Sequence, residues 1–141
     1  MLAGLAVLTS GVGAGDLDWG TDLAQAQARA QAENKNVLIN FTGSDWCGFC
    51  IKLHKEVFAT PEFQEYAKKN LVLVEADFPR RTSLPADLKA ANDKLKQQHK
   101  VTGFPTLVVL GSSGAKLGEI VGYGGGGPKA VIAKLDALKG G

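Results

Sequence analysis

The sequence predicts an α/β domain: a central mixed sheet, part parallel and part C-terminal antiparallel hairpin, flanked by helices. Three observations carry that expectation. Compact apolar runs rich in β-branched residues recur at VLINF (37–41), LVLVEA (71–76) and TLVVL (106–110), each the length of a buried strand. Longer stretches with helical spacing separate the first two runs, and strands divided by helices imply parallel pairing. After the third run, GSSG (111–114) makes a tight turn and KLGEIVGY (116–123) a fourth strand, so 106–123 reads as a β-hairpin.

Each intervening element follows from local chemistry. Thr21 or Asp22 caps a helix through LAQAQARAQAENK (23–35), a stretch of high helix propensity that Asn34–Asn36 breaks. Beyond the turn-like TGSD (42–45), a second helix runs from about Cys47 to Phe58, with Ile51, Leu53, Val57 and Phe58 as its apolar positions. TPEF (60–63) restarts a helix, with Thr60 as cap and Pro61 at its first position. DFPRRTSLP (77–85) is a loop, and Pro85 opens a helix in which Leu88, Ala91, Leu95 and His99 recur at helical spacing. A glycine run at 124–127 ends in Pro128, which starts a last helix with Val131, Ile132, Leu135 and Leu138 inward. The order from the first strand is β-α-(α)-β-α-β-β-α.

A chain of 141 residues fits one domain with a core of its own. Its 45% hydrophobic and 21% charged residues are ordinary for a globular protein. The net charge of +2 is weak and the basic residues are scattered, with PRR (79–81) too short to form a basic face, so nucleic acid is not an expected partner. No apolar run is long enough to span a bilayer. The uncharged MLAGLAVLTSGVGAG (1–15) stands apart: Leu2–Leu8 fits a short h-region and VGA (12–14) satisfies the small-residue rule of a signal-peptidase site, although a basic n-region is missing. Residues 1–15 are therefore expected to be a signal-peptide remnant or a flexible tail, and 16–141 the domain. A remnant implies an oxidising compartment.

The only two cysteines sit in TGSDWCGFCIKL (42–53), two residues apart and directly after Trp46. Structural zinc wants four ligands, whereas the chain has two Cys and two His, with His54 four residues after Cys50 and His99 far away. Haem attachment needs His where Ile51 stands, and an iron–sulfur cluster lacks two thiolates. A static bridge closing so short a loop removes little chain entropy. Redox chemistry fits better. Cys47 falls where a turn gives way to a helix, so unpaired N–H groups stabilise its thiolate, and Cys50, one turn on, is placed to resolve a mixed disulfide.

VLINF…WCGFC with VTGFPTLVVL (101–110) downstream resembles the thioredoxin superfamily. FTGSDWCGFCIKLHKEVF (41–58), EADFP (75–79) and GYGGGGPKAVIAKL (122–135) are similar to the thioredoxin-like thiol:disulfide interchange proteins of bacterial envelopes. The likeness covers roughly residues 35–138. It implies a thioredoxin-like fold and a thiol–disulfide oxidoreductase acting on protein substrates, as reductase, isomerase or oxidase. Cys47 is then the nucleophile and Cys50 the resolving thiol. Trp46 shields the site, Phe49 lies between the thiols, Pro105 matches the cis-proline against the disulfide, and Phe104 supplies the backbone that pairs with an extended substrate and an apolar wall. Gly122 or Gly124 gives the substrate close approach, the glycine run reading equally as a flexible connector. No bound cofactor is implied, because the Cys47–Cys50 pair carries the electrons. The expected partners are protein thiols and a redox protein, for a monomer without stable membrane insertion, periplasmic or secreted, the cytoplasm being the alternative. A CxxC metal carrier and a non-catalytic substrate-binding module of the same fold are the alternative functions.

Two departures from thioredoxin matter. Asn40 falls where thioredoxin buries an aspartate, and an amide cannot take and return a proton. Glu75 is one candidate to replace it, although a lone charge in LVLVEAD reads first as the solvated end of a strand; Asp45 reads as a turn residue. The second departure is Gly-Phe between the cysteines in place of Gly-Pro. Phe49 keeps an N–H that stabilises a thiolate, and Lys52, His54 and Lys55 add positive charge nearby. The expected potential lies above thioredoxin's about −270 mV.

Overall fold

The computed structural model describes residues 17–139. The expectation for residues 1–15 lies outside the described residues. The chain forms β1 (Trp19–Gly20), α1 (Leu23–Glu33), β2 (Asn36–Thr42), α2 (Gly48–Leu53), a π-helical turn (His54–Phe58), α3 (Pro61–Asn70), β3 (Leu71–Asp77), α4 (Ala86–Gln98), β4 (Thr106–Leu110), β5 (Lys116–Val121) and α5 (Gly127–Leu138). The strands form one mixed sheet in the order β1-β3-β2-β4-β5. β1, β3 and β2 run parallel, while β4 lies antiparallel to both β2 and β5. The fold class expected from the sequence is the one observed.

The alternation along the strands splits the core in two. On one face Leu38, Leu71, Leu73, Leu107 and Val109 pack with Leu53, Val57, Phe58 and Phe63 from the helical segments between β2 and β3, and with Val131 and Leu135 of α5. On the other, Val37, Ile39, Phe41, Val72, Val74, Ala76 and Val108 meet Ala26 and Ala30 of α1. Most of these side chains are inaccessible to water, so β2 and β3, buried on both faces, read as continuous apolar runs.

The caps behave as their chemistry directs. Asp22 accepts from the amide of Gln25 at the start of α1, and Asn34 ends that helix in the left-handed region. Thr60 accepts from the amide of Phe63, with Pro61 in the first turn of α3.

Four details differ from the sequence-based expectation. β1 is only two residues long and carries no period to recognise. The helix expected through Phe58 loses its regular register at His54, where a π turn lets Val57 and Phe58 both point into the core. Ile51, on the same helix, is exposed. On α4 the buried residue is Asn92, whose amide donates to the carbonyl of Asp77 at 3.0 Å, while Ala91 faces solvent and Leu88, Leu95 and His99 are half-buried. A polar tie to the end of β3, together with Leu95 against the second core cluster, seats that helix.

Candidate active site

β2 delivers the chain to the carboxyl end of the sheet, where Gly43 to Trp46 turn it into α2. The amides of Trp46 and Cys47 both donate to the carbonyl of Gly43, at 3.3 and 2.9 Å. A side chain at Gly43 is excluded: a Cβ there would lie 2.5 Å from the indole of Trp46. Cys47 is the cap of α2, its sulfur accepting from the amide of Cys50 at 3.3 Å. The two cysteines form a disulfide. Exposures of 7% for Cys47 and 4% for Cys50 leave little sulfur surface, so a reacting thiol must approach along a restricted path.

Trp46, which directly precedes Cys47, packs with Phe104. The indole N–H of Trp46 donates to the carbonyl of Phe78 at 2.7 Å, and its ring meets that of Phe104 edge-on at 5.9 Å. Phe78 stacks obliquely on Phe104 at 5.2 Å. The guanidinium of Arg80 lies 3.5 Å above the Trp46 ring, a cation–π contact. The Phe104–Pro105 bond is cis. Pro105 is buried, and its carbonyl accepts from the amide of Gly122 at 2.8 Å. Gly122 has φ +78°, which L side chains rarely adopt, whereas Gly124 does not. Phe49, 62% exposed, projects from the first turn of α2 as an apolar surface a partner can cover.

The loop after β3 belongs to the site through Asp45. Its carboxylate accepts from the amides of Arg80 at 2.9 Å, Arg81 at 2.8 Å and Thr82 at 3.1 Å. The Arg80 amide chiefly, with those of Arg81 and Thr82, holds the Asp45 carboxyl below the usual carboxylate range. Asp45 is thus a clamp as well as a turn residue. Its partners lie more than thirty residues downstream, and nothing local announces them. Asp77 fastens the other side of the turn, accepting from the Ser44 amide at 3.0 Å and from its hydroxyl at 2.5 Å.

Asn40, two residues after Leu38 on β2, is buried, and its side-chain oxygen has no hydrogen-bond partner among the described residues. In the β2–β3 register it is the direct neighbour of Glu75. The reading of Glu75 as a solvated strand end is corrected: it lies within β3, half-buried, and burial chiefly, with the charge of Asp77, raises its carboxyl above the usual range. The exposed Lys52, His54 and Lys55 sit on the outer side of α2 and its continuation. Among the described residues no group of three His, Cys, Asp or Glu side chains converges to hold a metal ion.

Residues 23–139 match the family described as a thioredoxin-like domain. The chain belongs to the thioredoxin-like family. It is 37% identical over 132 residues to the disulfide bond reductase DsbH of Chlamydia pneumoniae, covering 93% of this chain and 78% of the relative. A solved structure of a DsbH oxidoreductase superposes with TM-score 0.80 at 35% identity, over 87% of this chain and 84% of that one. A putative disulphide-isomerase from Bacteroides thetaiotaomicron shares the fold at TM-score 0.68 and 22% identity, over 88% and 93% of the two chains. With its CxxC disulfide, this thioredoxin-like chain is a thiol–disulfide oxidoreductase. No helix among the described residues is long and apolar enough to cross a membrane.

Proposed function

We propose that the chain reduces disulfides of extended protein segments in the bacterial envelope, with Cys47 as nucleophile and Cys50 as resolving thiol. The observation that carries this reading is the pairing of the two cysteines at the start of α2, with Cys47 as the helix cap beside the apolar wall of Trp46 and Phe104. In the reduced protein the Cys47 thiolate attacks a substrate disulfide and one substrate sulfur leaves as a thiolate. Cys50 then attacks Cys47, releasing the second substrate thiol and closing the pair. Two electrons pass from the dithiol to the substrate, and a separate redox protein restores the dithiol. The kinship with a disulfide bond reductase favours this direction.

Phe104, held by the cis bond to Pro105, offers the substrate its backbone, while Phe49 and Trp46 cover its apolar side chains. The envelope assignment rests on the uncharged stretch at residues 1–15, read as a signal remnant that precedes a domain at 16–141. Insulin reduction by the purified protein, coupled to dithiothreitol, tests the activity. Cys47→Ser must abolish turnover, and Cys50→Ala must accumulate mixed disulfides with envelope proteins. Full turnover by Cys47→Ser defeats the proposal. So does a trapping experiment in which only cytoplasmic proteins are attached.

A further inference from the structure

We propose that Glu75 is the proton acceptor for Cys50, placed by the β2–β3 register next to the buried amide of Asn40. This rests on the thiol–disulfide reading above. When the resolving thiol attacks, its proton must leave before or during formation of the new S–S bond. Asn40, which stands where the likeness to thioredoxin expects an aspartate, offers a carbonyl that accepts a hydrogen bond but cannot be protonated at neutral pH.

Three observations converge on Glu75. First, side chains alternate along β3, so Glu75 shares the face of Leu71 and Leu73, the same face that receives Leu53 of α2. Asn40 follows Leu38 on that face by two residues, and Cys50 precedes Leu53 by one helical turn. Strand and helix run in opposite senses here, so these steps carry Asn40 and Cys50 toward the same end of the layer. Second, the Cα register pairs Asn40 with Glu75, and adjacent strands lie about 4.8 Å apart, within reach of a glutamate side chain or one intervening water. Third, among the described residues the buried Asn40 side-chain oxygen has no partner and no hydrogen bond reaches the Glu75 carboxylate. A buried acceptor beside an unengaged carboxylate is costly in a purely structural site, and serves a group that is protonated for part of a cycle.

The proton also has a way out. β1 pairs with β3 only as far as Val74, opposite Gly20, so beside Glu75 the sheet edge has no paired strand among the described residues. The other ionisable groups on this side are accounted for. Asp77, on the same face of β3, is engaged by Ser44, and Glu56 of the π turn accepts from the hydroxyl of Tyr123 at 2.9 Å. Lys52, His54 and Lys55 are exposed, whereas Cys47 and Cys50, at the start of α2, are buried.

In the step itself the Cys50 S–H proton passes to the Glu75 carboxylate, directly or through one water oriented by Asn40. The Cys50 sulfur bonds to Cys47, the Cys47–substrate S–S bond breaks, and the substrate sulfur leaves with the electron pair as a thiolate. Glu75 then returns its proton to water at the open sheet edge. Burial of the carboxyl raises its proton affinity toward the range this exchange needs.

The test follows release of glutathione from the preformed Cys47–glutathione mixed disulfide by stopped flow between pH 5.5 and 9. Glu75→Gln should slow release about 10- to 100-fold near pH 7, with the rates converging where Cys50 ionises unaided. Adding Asn40→Asp should recover the rate, because it returns a carboxylate to the same face one strand away. Formation of the mixed disulfide at Cys47 should be unchanged in Glu75→Gln. A wild-type rate–pH profile in that variant overturns the proposal, and so does a uniform slowing at every pH. If the variant does not fold, the carboxyl resonance of Glu75 in the wild-type protein decides: it should titrate differently in the oxidised and reduced states, and identical titrations refute the coupling. Failure of the reading beneath is distinguishable, since it shows as turnover by Cys47→Ser.

Discussion

Trp46 illustrates how much one side chain holds at this site. Its N–H is satisfied by the Phe78 carbonyl, its face carries the Arg80 guanidinium, its edge meets Phe104, and its underside rests against Gly43. Gly43→Ala puts a methyl group into the indole and must displace it, since no backbone strain is involved. The expected cost is about 1–3 kcal/mol of stability by overpacking, with loss of the Trp46–Phe78 bond. Urea denaturation and the indole N–H resonance read both effects, and an unchanged resonance would refute this account. Phe49 makes a second residue-scale case. The first-turn amides of α2 lack intrahelical partners, and Phe49 keeps one that a proline would delete. Phe49→Pro should lower the reduction potential by several tens of mV, where about 30 mV is a tenfold change in equilibrium constant. Equilibration of both proteins against glutathione measures it, and a potential unchanged or raised removes the amide from the explanation.

At the scale of elements, the loop after β3 is positioned by a single carboxylate outside it. Asp45 closes three amides of that loop, and one of them belongs to the residue stacked on Trp46. Asp45→Ala should therefore free residues 80–82 without unfolding the sheet. Amide exchange at those positions should quicken at least tenfold, and Arg80 should leave the indole. Because its native partners hold the Asp45 carboxyl low, the clamp is complete above the ordinary carboxylate range and is lost as the pH falls through that lowered value. Protection of the three amides that survives in the alanine variant would show the loop to be self-supporting. This contact marks the boundary of what a sequence discloses. The strand and helix pattern, the cysteine pair and the Phe104–Pro105 step were legible, because each is written in adjacent residues. The clamp, the orphaned carbonyl of Asn40 and the placing of Glu75 depend on strand register and on contacts between distant segments. A lone Glu in an apolar run reads as a strand end until its neighbour across the sheet is known. The glycine run at 124–127 shows the same limit from another side. Its residues from Gly125 onward adopt left-handed φ, and Gly126 caps α5 with no room for a Cβ against Ala130, so this segment is a shaped turn and not a connector.

Across the whole molecule, two carboxyls with opposite displacements shape how stability responds to pH. Asp45 binds its proton less tightly folded than unfolded, so folding gains stability from it as the pH rises through the acid range. Glu75 binds its proton more tightly folded than unfolded, because ionisation within the layer between sheet and helix loses solvation. Between its ordinary value and its raised one, the native state holds more protons than the unfolded state. Stability therefore falls as the pH climbs through that window, and is level above it. Taken alone, the Asp45 contribution grows as the pH rises through the acid range, whereas the Glu75 contribution shrinks above the ordinary glutamate value. Glu75→Gln keeps the neutral form at every pH, so it should be more stable than wild type at pH 7 and indistinguishable from it below the ordinary glutamate range. Asp45→Asn should do the reverse, losing stability at pH 7 and converging on wild type in strong acid. Thermal midpoints of the three oxidised proteins at pH 3, 5 and 7 separate these contributions. A Glu75→Gln protein no more stable than wild type at pH 7 would mean that the carboxylate is fully solvated when ionised. The sheet edge beyond Gly20 would then be open to water at all times, rather than a route for single protons.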